Sequence, residues 1–262
     1  TPDQITEEQY KEVREKFQAI SSDKPLVSVV IIAYNEEENL FKTLVSLAET
    51  RCKYPVEFIV ANNNSKDRTQ EIIDKCGVRT VFETRQGYPC ARQAGHEIAK
   101  GKYIVSGDAD TLYRPSWVET MVEPFEKDNT IVCTYSLHAF YTDDDSYPLS
   151  LLGYQQAKTW GVHFRHLKRP QLNCGGASMA YRVDIADKIG GYRLNIKRGT
   201  DGYLALDMMP YGKVAIVKSK KALIYTSMRR TDMDGSLGQA FWIRAKRYFR
   251  NLFRYLSPQN EV

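Results

Sequence analysis

The chain has 262 residues, of which 42% are hydrophobic and 26% are charged, and its formal net charge is +5. Its length suits one large domain or two small ones, and its composition is that of a folded globular protein rather than a disordered chain. No apolar run is long enough for a transmembrane helix, the polar start predicts no secretory signal peptide, and five scattered cysteines without a CxxC pair favour a reduced, cytoplasmic protein.

Strands and helices are predicted to alternate along the first half of the chain. A helix over residues 6–20 precedes the apolar, β-branched run LVSVVIIAY at 26–34, which is typical of a strand buried on both faces. Further strands are predicted at 56–61, 78–83 and 102–107, with helices at 35–50, 67–75 and 88–100. Asp67 and Gln70 are spaced as a capping box. The alternation predicts right-handed βαβ units and an open parallel sheet.

The second half is less regular. Strands are predicted at 130–140, at the end of 175–182, at 213–217 and at 221–226, with helices at 149–166, 183–189 and 201–209. The chain contains no internal repeat and no low-complexity tract. We therefore expect one α/β domain with an elaborated second half.

The last predicted helix spans about 238–256 and has one aromatic and one basic side. Its apolar residues recur at helical spacing from Phe241 to Leu256, and the opposite side is purely basic. Residues 239–256 suit the surface of an anionic membrane, or they pack on the rest of the chain with their charges in water. Nucleic-acid binding is disfavoured, because the basic face lies on one helix with its aromatic residues opposite.

Polar motifs follow the predicted strands, at the sheet edge where ligands of such sheets bind. In VSGDADTLYRP, residues 105–115, the carboxylates Asp108 and Asp110 are one residue apart. Such a pair can bind a divalent cation such as Mg²⁺ or Mn²⁺ through oxygen ligands shared with phosphates. It can equally form a polar turn or a helix cap, and the triplet alone does not separate the two.

Several segments in order resemble family 2 glycosyltransferases of the GT-A fold and Asp-x-Asp type. VSVVIIAYNEEENL resembles the first strand and turn of the family, FIVANNNSKDRT the second, and RQGYPCARQAGHEIAKGKYIVSGDAD the Ala-Arg and Asp-x-Asp segment. GGASMAYRVDIADKIGGYR and GTDGYLALDMMPYG resemble its acceptor side. The likeness covers about residues 26–226 and implies a Rossmann-like, mostly parallel sheet flanked by helices, with an acceptor-side second half and a C-terminal amphipathic helix.

The resemblance also implies how the chain is divided. Residues 1–25 form an N-terminal helical extension, 26–228 the GT-A domain and 229–262 the basic amphipathic helix. Within the domain, 26–125 is the nucleotide-sugar half and 126–228 the acceptor half. The implied activity is that of a metal-dependent, inverting, hexosyltransferase-like enzyme. It moves a sugar from a nucleotide sugar, by family default a UDP-sugar, to a hydroxyl of a glycan or lipid-linked acceptor, as in polysaccharide biosynthesis. Peripheral attachment to the inner membrane face would suit a lipid-linked acceptor.

By the same resemblance, one group of residues binds the nucleotide-sugar donor. These residues are Ala33, Tyr34, Glu36, Asn62, Asn63, Arg92, Asp108, Ala109 and Asp110. Asp110 is implied as the direct ligand of Mg²⁺ or Mn²⁺, with Asp108 near the ribose, sugar or metal shell. Asn62 and Asn63 stand where the family has aspartate, and asparagine can pair with uracil or with another base.

On the acceptor side, the resemblance implies that Asp201 is the general base. The family carries a Glu-Asp pair there, and Thr200 replaces its glutamate. A single displacement assisted by one base inverts the anomeric carbon. The other residues implied at the acceptor or sugar are Gly175, Gly176, Thr200, Arg229 and Arg230.

Each residue also has a structural explanation. Glu36 can stabilise a helix N-terminus, Asp201 can cap a helix, and Arg92 can lie on a solvated helix face. Asparagines favour turns, and the glycines can serve a tight strand turn.

Two other functions compete with the transferase. The departures from the family pattern suggest a non-catalytic nucleotide-sugar or glycan-binding protein on a degenerate scaffold, although the retained aspartates Asp108, Asp110 and Asp201 favour an enzyme. A nucleotidyltransferase is disfavoured, because AYNEEENL after the first strand is acidic and lacks glycine.

Overall fold

The computed structural model describes residues 2–141 and 149–227, so the predicted C-terminal helix, with Arg229 and Arg230, lies outside the described residues. The helices described are α1 (Glu7–Ile20), α2 (Leu40–Ala48), α3 (Thr69–Cys76), α4 (Tyr88–Ile98), α5 (Trp117–Lys127), α6 (Leu149–Lys168), α7 (Val183–Lys188) and α8 (Thr200–Met208). The strands are β1 (Val27–Ala33), β2 (Val56–Asn62), β3 (Arg79–Phe82), β4 (Tyr103–Asp108), β5 (Thr111–Leu112), β6 (Ile131–Ser136), β7 (His138–Tyr141), β8 (Met179–Arg182), β9 (Lys213–Val217) and β10 (Ile224–Ser227). Over these ranges, no helix combines the length and the apolar character needed to cross a membrane.

Seven strands form one sheet in the order β3-β2-β1-β4-β8-β6-β9. All neighbours pair in parallel except β8, which runs antiparallel to both β4 and β6. The predicted mostly parallel sheet is therefore confirmed. Every residue of β1 and β2 is buried, as expected for strands covered on both faces.

Alternate side chains of β1 enter two separate hydrophobic cores. Val29 and Ile31 pack into a core that also takes side chains from α1, α2, α3 and α5. Val30 belongs to a second core with side chains of β6, β8 and α8. Each such aliphatic side chain contributes about 1.5–3 kcal/mol on burial. The two cores fix the central strands, and with them the sheet edge at which their carboxyl ends meet.

The segment after β1 differs from the prediction. A helix was expected from residue 35, but α2 begins at Leu40 and the three glutamates before it lie in a turn. The backbone N–H of Glu36 donates to Thr69 Oγ1 at 2.8 Å, and that of Glu37 donates to Asp67 Oδ2 at 3.0 Å. Side chains that follow β2 thus hold the backbone of this turn, and the helix begins only after it.

The predicted capping box at α3 is also wrong. Asp67 Oδ1 accepts hydrogen bonds from the backbone and the hydroxyl of Thr69, but Gln70 does not fold back onto Asp67. The Gln70 side chain instead accepts from Asn62 and donates to Asp74. Gln70 thus stabilises the end of β2 through its hydrogen bond with Asn62.

The predicted strand over 130–140 is two strands in two sheets. β6 belongs to the large sheet, and β7 joins a three-stranded sheet in the order β5-β10-β7. The chain changes sheets at Leu137, whose carbonyl accepts from the Ile224 N–H at 3.5 Å. Just before it, Ser136 Oγ donates to the Ala222 carbonyl at 2.7 Å, which attaches the start of β10 at the same point. The switch depends on partners more than 80 residues away, so a local pattern does not reveal it.

Candidate active site

Two adjoining pockets lie at the carboxyl ends of β1, β2 and β4, where parallel sheets bind their ligands. The first has a volume of about 280 Å³ and the second about 460 Å³. Ile32, Tyr88 and Asp108 line both, so the pockets form one continuous cleft. The first is also lined by Ala33, Tyr34, Glu36, Asn63, Gln86, Gly87, Ala91, Ala109 and Asp110. The second is also lined by Arg92, Gly176, Lys197, Arg198, Gly199, Thr200 and Asp201.

Asn63 lies at the first pocket, but the fold uses its side-chain amide. Asn63 Nδ2 donates to the carbonyls of Glu83 and Arg85 at 3.2 and 2.7 Å, and its Oδ1 accepts from the Gly87 N–H at 2.8 Å. Both N–H donors of the amide are therefore occupied. Gln86 Nε2 donates to the same oxygen at 3.5 Å, so the whole amide of Asn63 is used to shape the loop that precedes α4.

Asn62 is fully buried and lines neither pocket. Its Nδ2 donates to Gln70 Oε1 at 2.8 Å, and its Oδ1 accepts from the Ser65 N–H at 3.1 Å. These bonds close the turn after β2, so the structure separates Asn62 from the other donor-binding candidates.

Tyr113 stabilises the turn that carries Asp108 and Asp110. Its hydroxyl accepts from the Asp108 N–H at 2.7 Å and donates to the Asp108 carbonyl at 3.0 Å. Gly107 makes room for this hydroxyl, because a Cβ there would overlap Tyr113 Oη and Ile31 Cδ1. The carbonyl of Ala109 accepts from the buried Thr43 hydroxyl at 2.7 Å. The turn is fixed through its backbone, and both aspartates line the first pocket.

Arg92 stands at the centre of the cleft and is only 2% exposed. It donates through Nη2 to Asp108 Oδ1 at 2.6 Å and through Nη1 to the Gly107 carbonyl at 2.8 Å. Its Nε lies 3.4 Å from Asp201 Oδ1. The solvated helix face considered for Arg92 is thereby excluded, since this buried guanidinium joins the aspartates of two distant segments.

Gly176 packs against the same ion-paired group. A Cβ at this position would overlap Arg92 Nη2 and would lie 2.9 Å from Asp201 Oδ2. Only a residue without a side chain leaves both groups in place. Gly175 has no such neighbour within 4 Å and lines neither pocket, so of the two glycines only Gly176 belongs to the cleft.

Asp201 lies in the first turn of α8, whose N-cap is Gly199 with a φ of 75°. Its Oδ1 is buried and accepts no hydrogen bond from any described residue. Burial raises the pKa of Asp201 above its ordinary value, the charge of Arg92 opposes this rise, and that of Asp108 adds to it. Asp201 therefore has a carboxylate oxygen without a hydrogen bond and a basicity above that of a solvated aspartate.

Asp108 and Asp110 are the carboxylates suited to a metal ion. Both line the first pocket; Asp110 is 7% exposed, and the Thr111 hydroxyl donates to its Oδ1 at 3.4 Å. In the described part of the chain, no cluster of three or more His, Cys, Asp or Glu residues could hold a metal. Two carboxylates suffice for a cation that keeps water and phosphate oxygens as its other ligands, so these residues fit Mg²⁺ or Mn²⁺.

The sequence analysis missed eight cleft residues, and four of them have polar, charged or aromatic side chains. Tyr88 is 54% exposed and lines both pockets, and Gln86 lines the first. Lys197 and Arg198 line the second pocket from the loop before α8. The signal available for Tyr88 was its place as an aromatic residue directly after Gln86 and Gly87. The basic pair in NIKRGTD was visible too, but its place at the cleft depends on the loop that hydrogen bonds attach to both α4 and α8.

The chain matches the family model "Glycosyl transferase family 2" over residues 28–190. It is 33% identical to a chondroitin synthase of Pasteurella multocida over 127 residues, which cover 47% of this chain and 13% of that protein. It is 22% identical to a glucosyl-dolichyl phosphate glucuronosyltransferase of Haloferax volcanii, over 89% of this chain and 79% of that protein. The chain thus spans only a small part of the first relative and most of the second.

Solved structures share the fold. A mannosyltransferase from Pyrobaculum calidifontis, in complex with GDP-Man and Mn²⁺, superimposes with a TM-score of 0.59 at 17% identity, over 91% of this chain and 70% of that one. Glucosyl-3-phosphoglycerate synthase from Mycobacterium tuberculosis, with Mn²⁺, UDP-Glc and phosphoglyceric acid, gives 0.59 at 19% identity, over 90% and 83%. Because the family model matches more than half of the chain, this chain belongs to glycosyl transferase family 2, and its mostly parallel sheet and the solved structures show that it has the GT-A fold.

Proposed function

We propose that this protein transfers a sugar from a nucleotide-sugar donor to a hydroxyl group of an acceptor, with inversion at the anomeric carbon. The observation that carries the proposal is the placement of Arg92 between Asp108 and Asp201. A carboxylate suited to the donor side and one suited to the acceptor side are held in one cleft by a single buried cation. Residues 26–228 would form the catalytic unit, with residues 1–25 packed on it.

The donor would occupy the first pocket. Ala33, Glu36 and Ala109 would contact the nucleoside, with Tyr34, 49% exposed, at its rim. Because the amide of Asn63 is used within the fold, the base would be read by Gln86 and by backbone groups. Structural neighbours bind UDP-Glc or GDP-Man, and we propose a UDP-sugar as the donor.

The diphosphate would lie beside Asp108 and Asp110, which would hold Mg²⁺ or Mn²⁺. Neighbours with the same fold contain Mn²⁺. The cation would supply neutralisation of the charge that grows on the departing nucleoside diphosphate. Arg92, already bound to Asp108, keeps that carboxylate oriented and adds positive charge to the same part of the cleft.

Asp201 would act as the general base. Asp201 lines the pocket next to the donor site, and its Oδ1 has no hydrogen-bond donor among the described residues. An acceptor hydroxyl in that pocket would donate to the Asp201 carboxylate and lose its proton as the oxygen attacks the anomeric carbon. The raised pKa of Asp201 suits a group that must take up a proton. A single attack opposite the leaving diphosphate inverts the anomeric centre.

The acceptor would be a glycan or a lipid-linked sugar. A relative in Haloferax volcanii is named for a dolichyl phosphate substrate, which is lipid-linked. The basic, aromatic segment 239–256 would place the cleft near an anionic membrane, with Arg229 and Arg230 near acceptor phosphates. Thr200, buried at the start of α8, would contact the acceptor in place of the family's glutamate.

The competing function is binding without catalysis, on a degenerate scaffold. The departures from the family pattern at Asn62, Asn63 and Thr200 favour it. The oxygen of Asp201 without a hydrogen bond favours the enzyme.

A panel of nucleotide sugars distinguishes the enzyme from the non-catalytic binding protein. The protein is incubated with each donor and Mn²⁺, with and without mixed glycan acceptors, and the released nucleoside diphosphate is measured. We expect one donor to be consumed by the wild type, and the rate to fall at least 100-fold in Asp110→Asn and Asp201→Asn. Metal-dependent binding of a nucleotide without consumption of any donor would contradict the enzyme and support the binding protein.

A further inference from the structure

The second pocket carries more positive charge than its carboxylates neutralise. Its cations are Arg92, Lys197 and Arg198, and its anions are Asp108 and Asp201. Arg92 is fully engaged, since both carboxylates lie on its guanidinium. Lys197 and Arg198 are exposed, and in the described part of the chain neither makes an ion pair or a side-chain hydrogen bond. Two cations therefore remain for a ligand.

The loop that presents these cations is anchored on both sides. The Tyr192 N–H donates to Gln93 Oε1 on α4 at 2.9 Å, and Arg193 Nε donates to Asp207 Oδ2 on α8 at 2.7 Å. At the other end the Gly199 carbonyl accepts from the Tyr203 N–H at 2.9 Å, within the first turn of α8. Lys197 and Arg198 thus project into the cleft from a loop attached to both helices that carry Arg92 and Asp201.

The position of this pair points to the acceptor rather than to the donor. Asp110, Glu36 and Asn63 line only the first pocket, whereas Lys197 and Arg198 line only the second, together with Asp201. An anion bound by the pair would lie on the side of the general base, where the acceptor hydroxyl must be.

We propose that the acceptor carries an anionic group, a carboxylate or a phosphate, near its reacting hydroxyl, and that Lys197 and Arg198 bind this group. The inference rests on the proposed function, because it assigns the second pocket to the acceptor. Arg198 can hold either anion through two N–H groups, and Lys197 adds a point charge.

Binding of small sugars tests the site without turnover. Saturation-transfer NMR with methyl β-D-glucuronide, glucose 6-phosphate and methyl β-D-glucoside compares a carboxylate, a phosphate and a neutral sugar. We expect the wild type to bind at least one anionic sugar at least 10-fold more tightly than the glucoside, and K197Q/R198Q to lose this difference. The control K220Q/K221Q removes the same charge outside the pocket and should retain it. Equal binding of all three sugars by the wild type would overturn the proposal.

Enzyme kinetics show whether the anion bound by Lys197 and Arg198 belongs to the acceptor or to the donor diphosphate. With the donor found above, the initial rate is measured with each sugar as acceptor and without any acceptor. We expect K197Q/R198Q to raise KM for the anionic acceptor at least 10-fold and to change KM for donor hydrolysis less than twofold. A rise in donor KM with unchanged acceptor selectivity would assign the pair to the diphosphate and overturn the proposal. If the wild type hydrolysed no donor at all, the proposed function would be contradicted. The NMR comparison would still decide whether Lys197 and Arg198 bind an anionic group.

Discussion

Arg92 Nη2 lies 2.6 Å from Asp108 Oδ1 and thereby joins helix α4 to the end of β4. The contact is buried on the arginine side, where only 2% of the side chain is exposed. Burial lowers the pKa of Arg92, but the charges of Asp201 and Asp108 outweigh it and raise the pKa above the ordinary arginine value. The guanidinium is thus a permanent charge around which the cleft is organised.

Replacing this guanidinium tests how much of the stability depends on it. Removing one partner of a buried ion pair costs about 3–5 kcal/mol, and the partial exposure of Asp108 places Arg92→Met near about 3 kcal/mol. Denaturant unfolding measures the change. Lys127→Met breaks an exposed pair with Glu123 and should cost less than about 1 kcal/mol. Equal losses in the two variants would show that the Arg92 cluster contributes no more than a surface pair.

The two adjacent glycines form a matched pair for a steric test. Gly176→Ala places a methyl group into Arg92 Nη2, whereas Gly175→Ala meets nothing within 4 Å. We expect Gly176→Ala to lose about 1–3 kcal/mol of unfolding free energy, as overpacking does, and to lose donor consumption. Gly175→Ala should change stability by less than about 0.5 kcal/mol. If Gly176→Ala were as stable and active as the wild type, Arg92 would not need the space that the glycine leaves.

The hydroxyl of Tyr113 is expected to position the aspartates without touching the substrate. Tyr113→Phe leaves the backbone N–H of Asp108 without its partner, which costs about 1–3 kcal/mol. The control is Tyr103→Phe, which removes an equally buried tyrosine's hydroxyl that donates to Glu126 far from the cleft. Both variants should lose stability, but only Tyr113→Phe should raise the Mn²⁺ concentration needed for half-maximal activity. A shift of equal size in Tyr103→Phe would indicate a general effect of unfolding.

The raised pKa of Asp201 makes stability depend on pH in a definite direction. A carboxyl group whose folded-state pKa is raised, here mainly by burial, stabilises the fold at acid pH and loses this contribution as the pH rises through that pKa. Relative to the wild type, Asp201→Asn should therefore gain stability between pH 4 and pH 7. Hydrogen bonds from Thr130 lower the pKa of Asp128 below its ordinary value of 3.8, so Asp128→Asn should lose stability relative to the wild type as the pH rises to that value, and should change little between pH 4 and pH 7. Thermal unfolding at pH 4 and pH 7 checks the gain expected for Asp201→Asn, and a loss in that variant would contradict the raised pKa.

Much of the fold was predictable because its signals are local. The apolar, β-branched runs that became β1 and β2 are buried along their whole length, and the polar motifs after them lie at one sheet edge as expected. The change of sheet at Leu137 was not predictable, since it depends on Ile224. The glutamates before α2 resembled the start of a helix, but they lie in a turn, where side chains that follow β2 accept hydrogen bonds from their backbone N–H groups.

In the candidate site, too, local signals were predictable and contacts between distant segments were not. Asp108, Asp110 and Asp201 were identified through motifs whose residue types and order are visible in the sequence. Tyr113 and Lys197 were not, because their roles arise from contacts between segments. Tyr113 acts on the aspartate turn through its hydroxyl, and Lys197 reaches the cleft only through the packing of α8. Local patterns thus supply the reactive groups, while tertiary contacts supply the groups that orient them.

The central claim is that Asp110 serves the donor and its metal while Asp201 serves the acceptor. Calorimetric titration of UDP into the wild type, Asp110→Asn and Asp201→Asn, each with and without Mn²⁺, tests it most directly. We expect Mn²⁺ to strengthen UDP binding at least 10-fold in the wild type and in Asp201→Asn, and much less in Asp110→Asn. Binding that is equally strong without Mn²⁺, or that is lost in Asp201→Asn and kept in Asp110→Asn, would contradict it.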